Sequence, residues 1–247
     1  MKSSITRRRL KRGHHTKRDR TMGMNIVDRI DDRVTVNQVL ISVSDKSGLD
    51  EFIPALVRIN PSIRIFSTGG TFGAIEKILG DAAGKHLVQV SDYTGQPETQ
   101  GGLVKTLDFK IYLGILTEKY NDSHQEDLKR TGAVPIDMVV VNLYPFASTV
   151  ARDGVSVEEA RSNIDIGGPT MVRASAKNYL RVASVVNPSD YGAVVDALTA
   201  NGGATDLALR YGLAVKAFEH TAAYDRHIAD YLVKQTPECV SGCYSAS

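Results

Sequence analysis

The sequence has little cysteine and no long apolar run. Its two cysteines, Cys239 and Cys243, lie near the end of the 247-residue chain, away from any cluster with metal-ligand spacing. A disulfide framework or a zinc site is therefore not expected. No run of about 18 apolar residues is present to cross a bilayer. No apolar segment with a cleavage site follows the basic N-terminus, as a secretory signal would require, so we expect a cytoplasmic protein.

Charge is distributed unevenly along the chain. The net charge is +2, but residues 1–20 hold nine Lys or Arg and one Asp, which gives 9 − 1 = +8 there and +2 − 8 = −6 in the remainder. Residues 1–36 show no sustained apolar periodicity, so we expect a basic, disordered arm. Such an arm could bind nucleic acid, but it lacks interleaved aromatic residues, and the indication is weak.

Strands and helices are predicted to alternate from Gln38 onward. Short apolar runs predict strands, and runs with apolar residues three or four apart predict helices. The predicted strands are residues 39–43, 63–66, 87–90, 138–143 and 182–186, and the predicted helices are 49–59, 72–79, 157–163, 171–179, 191–200 and 205–233. This alternation predicts an α/β fold over residues 37–235, with a doubly wound, mostly parallel sheet. Residues 236–247 are left as a C-terminal tail.

Two loops that follow predicted strands carry residues suited to binding phosphate. Such sheets bind ligands at the carboxyl ends of their strands. Ser44, Asp45 and Lys46 follow the first strand, and Lys46 can balance a phosphate charge. Paired glycines after the second strand let backbone N–H groups approach an anion, although such a pair is also common in simple turns. The second loop consists of Thr68, Gly69, Gly70 and Thr71.

Residues 163–178 form the most distinctive segment. They place Asp165 beside a Gly-Gly-Pro sequence, followed by Arg173 and Lys177, four residues apart on one helix face. Like charges at this spacing are mildly destabilising, which favours an anionic partner nearby.

Two other sets of residues have ordinary structural interpretations. Lys105 and Lys110 are expected to be solvated, and His220 and His227 to have packing or surface roles.

Six ordered motifs resemble the IMP cyclohydrolase domain of the bifunctional purine-biosynthesis enzyme that also carries AICAR formyltransferase. They are VSDKSGL at 43–49, STGGT at 67–71, VKTL at 104–107, VVVNLYPF at 139–146, NIDIGGPTMVRASAKN at 163–178 and KAFEHTAAYD at 216–225. The resemblance implies a methylglyoxal-synthase-like fold, a homodimer, formyl-AICAR (FAICAR) as substrate and IMP as product. It implies no cofactor or metal. Because the chain stops before the family's formyltransferase domain, we expect a separate AICAR formyltransferase to supply the substrate.

The resemblance also implies residue roles. Lys177 would donate and accept protons, Asp165 would orient the carboxamide, and Lys105 and Tyr144 would complete the catalytic group. The phosphate and ribose would be bound by Ser44, Asp45, Lys46, Thr68, Gly69, Gly70 and Thr71. The remaining substrate contacts would come from Val104, Thr106, Asn142, Leu143, Ile166 and Arg173.

The sequence departs from the family pattern at two places. Leu103 replaces an arginine, and residues 108–114 replace a run that contains two histidines. Either Lys110 or Arg173 compensates for the lost positive charge, or the substrate differs. Two alternatives therefore stay open: a lyase of the methylglyoxal synthase type, and a non-catalytic module that senses a phosphorylated purine nucleotide.

Overall fold

A computed structural model of the chain describes residues 25–96 and 106–245. The strands are β1 (Val34–Thr35), β2 (Gln38–Val43), β3 (Arg64–Ser67), β4 (Leu87–Gln89), β5 (Met138–Asn142), β6 (Ala183–Val185) and β7 (Ala204–Thr205). The first helices are α1 (Leu49–Ile59), α2 (Gly69–Leu79), α3 (Ala83–His86), α4 (Val90–Thr94), α5 (Phe109–Leu116) and α6 (Asp122–Thr131). They are followed by α7 (Phe146–Val150), α8 (Val157–Ser162), α9 (Gly167–Lys177), α10 (Tyr191–Ala200), α11 (Leu207–Leu232) and α12 (Pro237–Ser241).

The central sheet contains five parallel strands in the order β4-β3-β2-β5-β6. The central positions of its strands are mostly apolar because both faces are covered. Val39 and Ile41 face a core formed with α1, α2 and α10, whereas Leu40 and Val139 face a core formed with α5, α9 and α11. The predicted doubly wound α/β fold is therefore confirmed. No helix within the described residues is long and apolar enough to span a membrane.

Most predicted elements occur where expected, and two helices begin earlier than expected. The bounds of α1 and α10 match the predicted 49–59 and 191–200. Helix α2 begins at Gly69 rather than at residue 72, and α9 begins at Gly167 rather than at residue 171. In both cases a glycine pair that indicated a loop forms the first helical turn. The backbone N–H groups of these turns therefore lie at helix N-termini.

The C-terminal boundary of the predicted arm, residue 36, lies too late in the sequence. Strand β1 pairs with β7 in a small antiparallel sheet, and Val36 is buried in the core. The fully buried guanidinium of Arg210 donates hydrogen bonds to the carbonyl oxygens of Asp31 and Asp32. The segment from Asp31 onward thus belongs to the folded body. Residues 1–24 of the predicted arm lie outside the described residues.

The predicted tail also contacts the body. Helix α12 packs near α8, and the Tyr244 hydroxyl donates a hydrogen bond to the carboxylate of Glu158. That carboxylate also accepts two hydrogen bonds from Arg161. Because α8 leads into the loop that contains Asp165, the tail is attached close to a predicted catalytic residue.

Candidate functional site

The strand order brings most predicted site loops to one edge of the sheet. The chain winds from β2 to β3 and β4 on one side, and then from β5, the other neighbour of β2, to β6. The carboxyl ends of β2 and β5 are therefore a topological switch point, where α/β sheets bind ligands. The loop of residues 44–48 follows β2 at this edge, residues 143–145 follow β5, and α2 begins just after β3.

The loop after β2 is compact and charged. The Asp45 Oδ1 atom accepts hydrogen bonds from the Ser47 N–H at 2.9 Å and the Ser47 hydroxyl at 2.6 Å. These bonds, with the positive charge of Lys46, hold the pKa of Asp45 below its usual value. Lys46 Nζ donates to the Ser44 carbonyl oxygen at 3.3 Å. Gly48 ends the loop with a φ of 73°, a conformation that favours glycine.

The N-terminus of α2 faces this loop and is suited to bind an anion. The first-turn N–H groups of α2, which include those of Gly69 and Gly70, have no intrahelical partner. Thr68 is the N-cap residue, and its side chain makes no capping hydrogen bond to them. A Cβ atom built on Gly70 would lie 4.0 Å from Cε of Lys46. An anion at this terminus would therefore meet both the helix dipole and the Lys46 ammonium group.

Thr71 has a different role from the one predicted for its side chain. Its hydroxyl accepts a hydrogen bond from Val43 N at 3.1 Å and donates one to Val43 O at 3.0 Å. The residue is only 5% exposed. The hydroxyl thus ties α2 to the end of β2, and a ligand contact from Thr71 is left to its backbone N–H.

Asn142 is likewise engaged by the protein itself. Its Oδ1 accepts hydrogen bonds from the backbone N–H groups of Ser44 at 2.7 Å and Asp45 at 2.9 Å. Its Nδ2 donates to the Asp45 carbonyl oxygen at 2.8 Å. The predicted contact with the base of a nucleotide is therefore left to the second Nδ2 hydrogen, because an amide nitrogen carries two.

Asp165 lies beside the end of β5, just before α9. Its Oδ1 accepts a hydrogen bond from Gly168 N at 2.9 Å, and the backbone N–H of Tyr144 also stabilises the carboxylate. Burial outweighs these bonds and raises the pKa of Asp165. The carboxylate is thus held in place by backbone groups while its charged form is partly desolvated, as is common for functional carboxyl groups.

Two residues without a predicted role fix the position of Asp165. A Cβ atom on Gly168 would lie 2.4 Å from Asp165 Oδ2 and 2.6 Å from Cδ2 of Leu143, so any larger residue would displace these side chains. The phenolic oxygen of Tyr224 accepts the Asp165 N–H at 2.7 Å. The Gly-Gly pair next to an aspartate was a usable signal for Gly168. Tyr224 had no comparable signal, because its contact depends on the packing of α11.

Other predicted residues lie around Asp165. The side chains of Tyr144, which follows β5, and Ile166, which follows Asp165, are both exposed. Leu143 is buried against Gly168. Thr106 is buried, and its Oγ1 would lie 2.8 Å from a Cβ atom on Gly167. Val104 and Lys105, together with the divergent Leu103, lie outside the described residues.

The structure does not bring Lys177 and Asp165 together within one chain. Lys177 is the last residue of α9, whereas Asp165 precedes the first. At a rise of 1.5 Å per residue, the two ends of this helix are about 15 Å apart. The predicted roles of Lys177 in proton transfer and of Asp165 in orienting the carboxamide stay predictions.

The two cations proposed to compensate for the missing arginine are used elsewhere. The Arg173 guanidinium lies 5.6 Å from the centroid of the Phe218 ring on α11. Lys110 Nζ donates to the Tyr93 carbonyl oxygen at 3.2 Å. Lys46 is thus the predicted cation that the structure places beside the phosphate-type loops. Within the described ranges, no group of three or more His, Cys, Asp or Glu side chains is arranged to hold a metal ion.

Comparisons with known proteins agree with this arrangement. The family model described as the MGS-like domain matches residues 48–170, and the model described as the AICARFT/IMPCHase bienzyme matches residues 175–246. The crystal structure of ForH is similar, with 30% sequence identity and a TM-score of 0.65, and the match covers 79% of this chain and 98% of ForH. The predicted methylglyoxal-synthase-like fold is confirmed, and the matches relate the chain to an enzyme of purine biosynthesis. The chain belongs to the methylglyoxal-synthase-like family that includes the IMP cyclohydrolases.

Proposed function

We propose that this protein is an IMP cyclohydrolase that closes the second ring of FAICAR and releases water to give IMP. One observation carries this proposal: a helix N-terminus suited to bind an anion, with Lys46 beside it, shares a sheet edge with the partly buried carboxylate of Asp165. The match to the AICARFT/IMPCHase bienzyme model gives the same class of reaction. We expect the enzyme to work in the cytoplasm and to receive FAICAR from an AICAR formyltransferase.

The phosphoribosyl group would bind at the loops that follow β2 and β3. First-turn N–H groups of α2 donate to phosphate oxygens, and Lys46 supplies a full positive charge. Asp45 is exposed, and its ionised carboxylate can accept a hydrogen bond from a ribose hydroxyl. This arrangement would direct the base portion of the substrate towards Tyr144 and Asp165 at the end of β5.

Ring closure needs correct orientation and proton transfer. The carboxamide nitrogen attacks the formyl carbon, the resulting carbinolamine loses water, and one FAICAR yields one IMP and one water. Holding the two groups in line contributes about 7–11 kcal/mol in well-oriented cases. Asp165 is placed to accept a hydrogen bond from the carboxamide N–H and so to increase the electron density on the attacking nitrogen.

We propose that a second copy of the chain brings Lys177 to the site, because Lys177 and Asp165 lie at opposite ends of α9. A homodimer in which Lys177 of one copy meets Asp165 of the other satisfies this requirement. The exposed side of α11 supports such an assembly, because Tyr211, Val215 and Phe218 recur at positions i, i+4 and i+7 and are 55%, 43% and 40% exposed. An apolar stripe of this kind is typical of an interaction surface. Arg173, on the same face of α9 as Lys177, lies against Phe218.

Mixing two inactive variants tests the shared site. Asp165→Asn and Lys177→Ala should each abolish turnover when present in both subunits. After unfolding and refolding together, half of the dimers are mixed and each has one intact site, so activity should return to about a quarter of wild type. Mixed dimers that form but stay inactive would rule out a Lys177 that acts across the interface.

The direct test of the activity is ultraviolet monitoring of IMP formation from FAICAR by the purified protein. We expect turnover without added cofactor, and Asp165→Asn should abolish it.

One observation favours the nucleotide-sensing alternative. Asp108, which replaces a family histidine, is only 3% exposed and accepts the Lys110 N–H at 2.7 Å as the cap of α5, so its role is structural. Tight IMP binding without any turnover of FAICAR would establish the sensor in place of the enzyme.

A further inference from the structure

Asn142 joins the ends of two neighbouring strands at the switch point of the sheet. It is the last residue of β5 and pairs in register with Val43, the last residue of β2. Beyond this pair the chain after β2 leaves the sheet, so the backbone groups of Ser44 and Asp45 have no strand partner. The Asn142 amide replaces that partner with the three hydrogen bonds described above.

The loop is held from a second side by Thr71. Its hydroxyl binds both the N–H and the carbonyl group of Val43. Two side chains that are distant in sequence thus fix three consecutive residues, Val43, Ser44 and Asp45. Because Lys46 Nζ donates to the Ser44 carbonyl oxygen, the position of the ammonium group depends on the same stretch of backbone.

We propose that Asn142 is a positioning residue that holds the backbone of Ser44 and Asp45 in the conformation needed to bind a phosphorylated ribonucleotide. The inference rests on the proposed function, because it assumes that this loop binds the phosphoribosyl group. It differs from a direct contact between Asn142 and the substrate. Substrate and transition state share the phosphoribosyl group. Loss of the Asn142 hydrogen bonds therefore weakens the binding of both equally.

Three measurements on Asn142→Leu test the inference. The leucine side chain is similar in volume and can make none of the three hydrogen bonds. Amide hydrogen exchange at Ser44 and Asp45 should become at least about tenfold faster, because these N–H groups lose their acceptor. Calorimetric titration with IMP should show affinity weaker by about tenfold or more, since even small displacements of binding groups are costly. With FAICAR, KM should rise while kcat stays near the wild-type value.

Asn60→Leu is the matched control. Asn60 also braces backbone with its amide, since its Nδ2 donates to Val36 O at 2.8 Å and its Oδ1 accepts from Ser62 N at 3.0 Å. It lies at the opposite edge of the sheet, next to the start of β3. A similar loss of stability is expected, with IMP affinity unchanged. Should Asn142→Leu not fold, Asn142→Ser provides a polar replacement with a side chain too short to make the same set of bonds.

The outcomes separate this inference from the proposed function. Faster exchange at Ser44 and Asp45, together with weaker IMP binding and normal kcat, supports the inference. Weaker IMP binding with unchanged exchange would overturn it and assign Asn142 a direct ligand contact. Faster exchange with unchanged IMP affinity would also overturn it. Failure of the wild-type protein to bind IMP would instead overturn the proposed function.

Discussion

The backbone N–H of Asp165 donates a hydrogen bond of 2.7 Å to the phenolic oxygen of Tyr224, 59 residues later in the chain. Tyr224 is buried, and its ring packs edge-on against Phe146 of α7. One side chain of α11 thus fixes both the helix that follows β5 and the loop that carries the carboxylate of Asp165. The position of Asp165 therefore depends on helix packing as well as on its own loop.

Tyr224→Phe should weaken both stability and activity. The Asp165 N–H loses its acceptor in a largely buried position, which costs about 1–3 kcal/mol of the free energy of unfolding. Urea denaturation measures this change, and kcat for IMP formation should fall because the carboxylate is less well held. Tyr231→Phe is the control, because the Tyr231 ring on the same helix also packs edge-on against Phe146, and it should change neither quantity. Equal stability of Tyr224→Phe and wild type would contradict the structural role of this bond.

Gly168→Ala should displace the Asp165 carboxylate and remove most of the activity. The added methyl group would lie 2.4 Å from Asp165 Oδ2, too close for the present arrangement. By contrast, Gly73→Ala in the middle of α2 meets nothing within 4 Å and should stabilise the protein by about 0.5–1 kcal/mol. Turnover assays and thermal unfolding of the two variants should thus give opposite results. An active Gly168→Ala variant would show that the reaction does not require the present position of Asp165.

The raised pKa of Asp165 predicts a specific pH dependence of stability. The folded state binds the proton more tightly than the unfolded state, because burial raises the folded pKa. The contribution of Asp165 to stability is therefore complete below the unfolded pKa and is lost as pH rises through the folded pKa. Asp165→Asn should remove this part of the pH profile. The measurement is urea denaturation of both proteins across the acidic range, and identical profiles would show that the Asp165 pKa is not raised.

Arg210→Met should be the most destabilising of these substitutions. Arg210 is fully buried, and its guanidinium donates to the backbone carbonyl groups of Asp31, Asp32, Tyr179, Leu180 and Thr205. Removing it leaves these buried acceptors without their donor, at an estimated cost of about 3–5 kcal/mol. Arg226→Met, which removes an exposed arginine 3.9 Å from Asp230, should cost less than about 0.5 kcal/mol in the same urea experiment. Similar unfolding midpoints for the two variants would contradict this assignment.

Local sequence patterns predicted the five-stranded sheet and the helices α1, α2 and α8–α11, but they did not predict α3–α7 or α12. The apolar spacing in 49–59 and 191–200 was sufficient to give the bounds of α1 and α10. The glycine pairs at the starts of α2 and α9 were misleading, because glycine is permissive and fits a first helical turn as well as a loop. Strands β1 and β7 have only two residues each, too few to show a period.

The site was predictable in its loops but not in its internal contacts. Ser44, Lys46 and Gly70 carry the local signature of a phosphate-binding edge. The brace from Asn142 to Ser44 joins residues 98 positions apart, and such contacts leave no pattern in the sequence. The separation of Asp165 from Lys177 follows from the length of α9, which the sequence had suggested would begin later.

Arg210, which is buried, and Arg181, which is largely buried, hold one edge of the sheet together, whereas the opposite edge carries the loops. Arg181 and Arg210 cross-link chain segments that lead into the amino ends of the strands, and Arg181 alone contacts Gly114, Ile115, Thr117, Ile136 and Asp137. The loops proposed to bind the ligand extend from the opposite edge. Exchange of those loops leaves the arginine cross-links untouched, which makes this fold a practical starting point for engineering new ligand specificity.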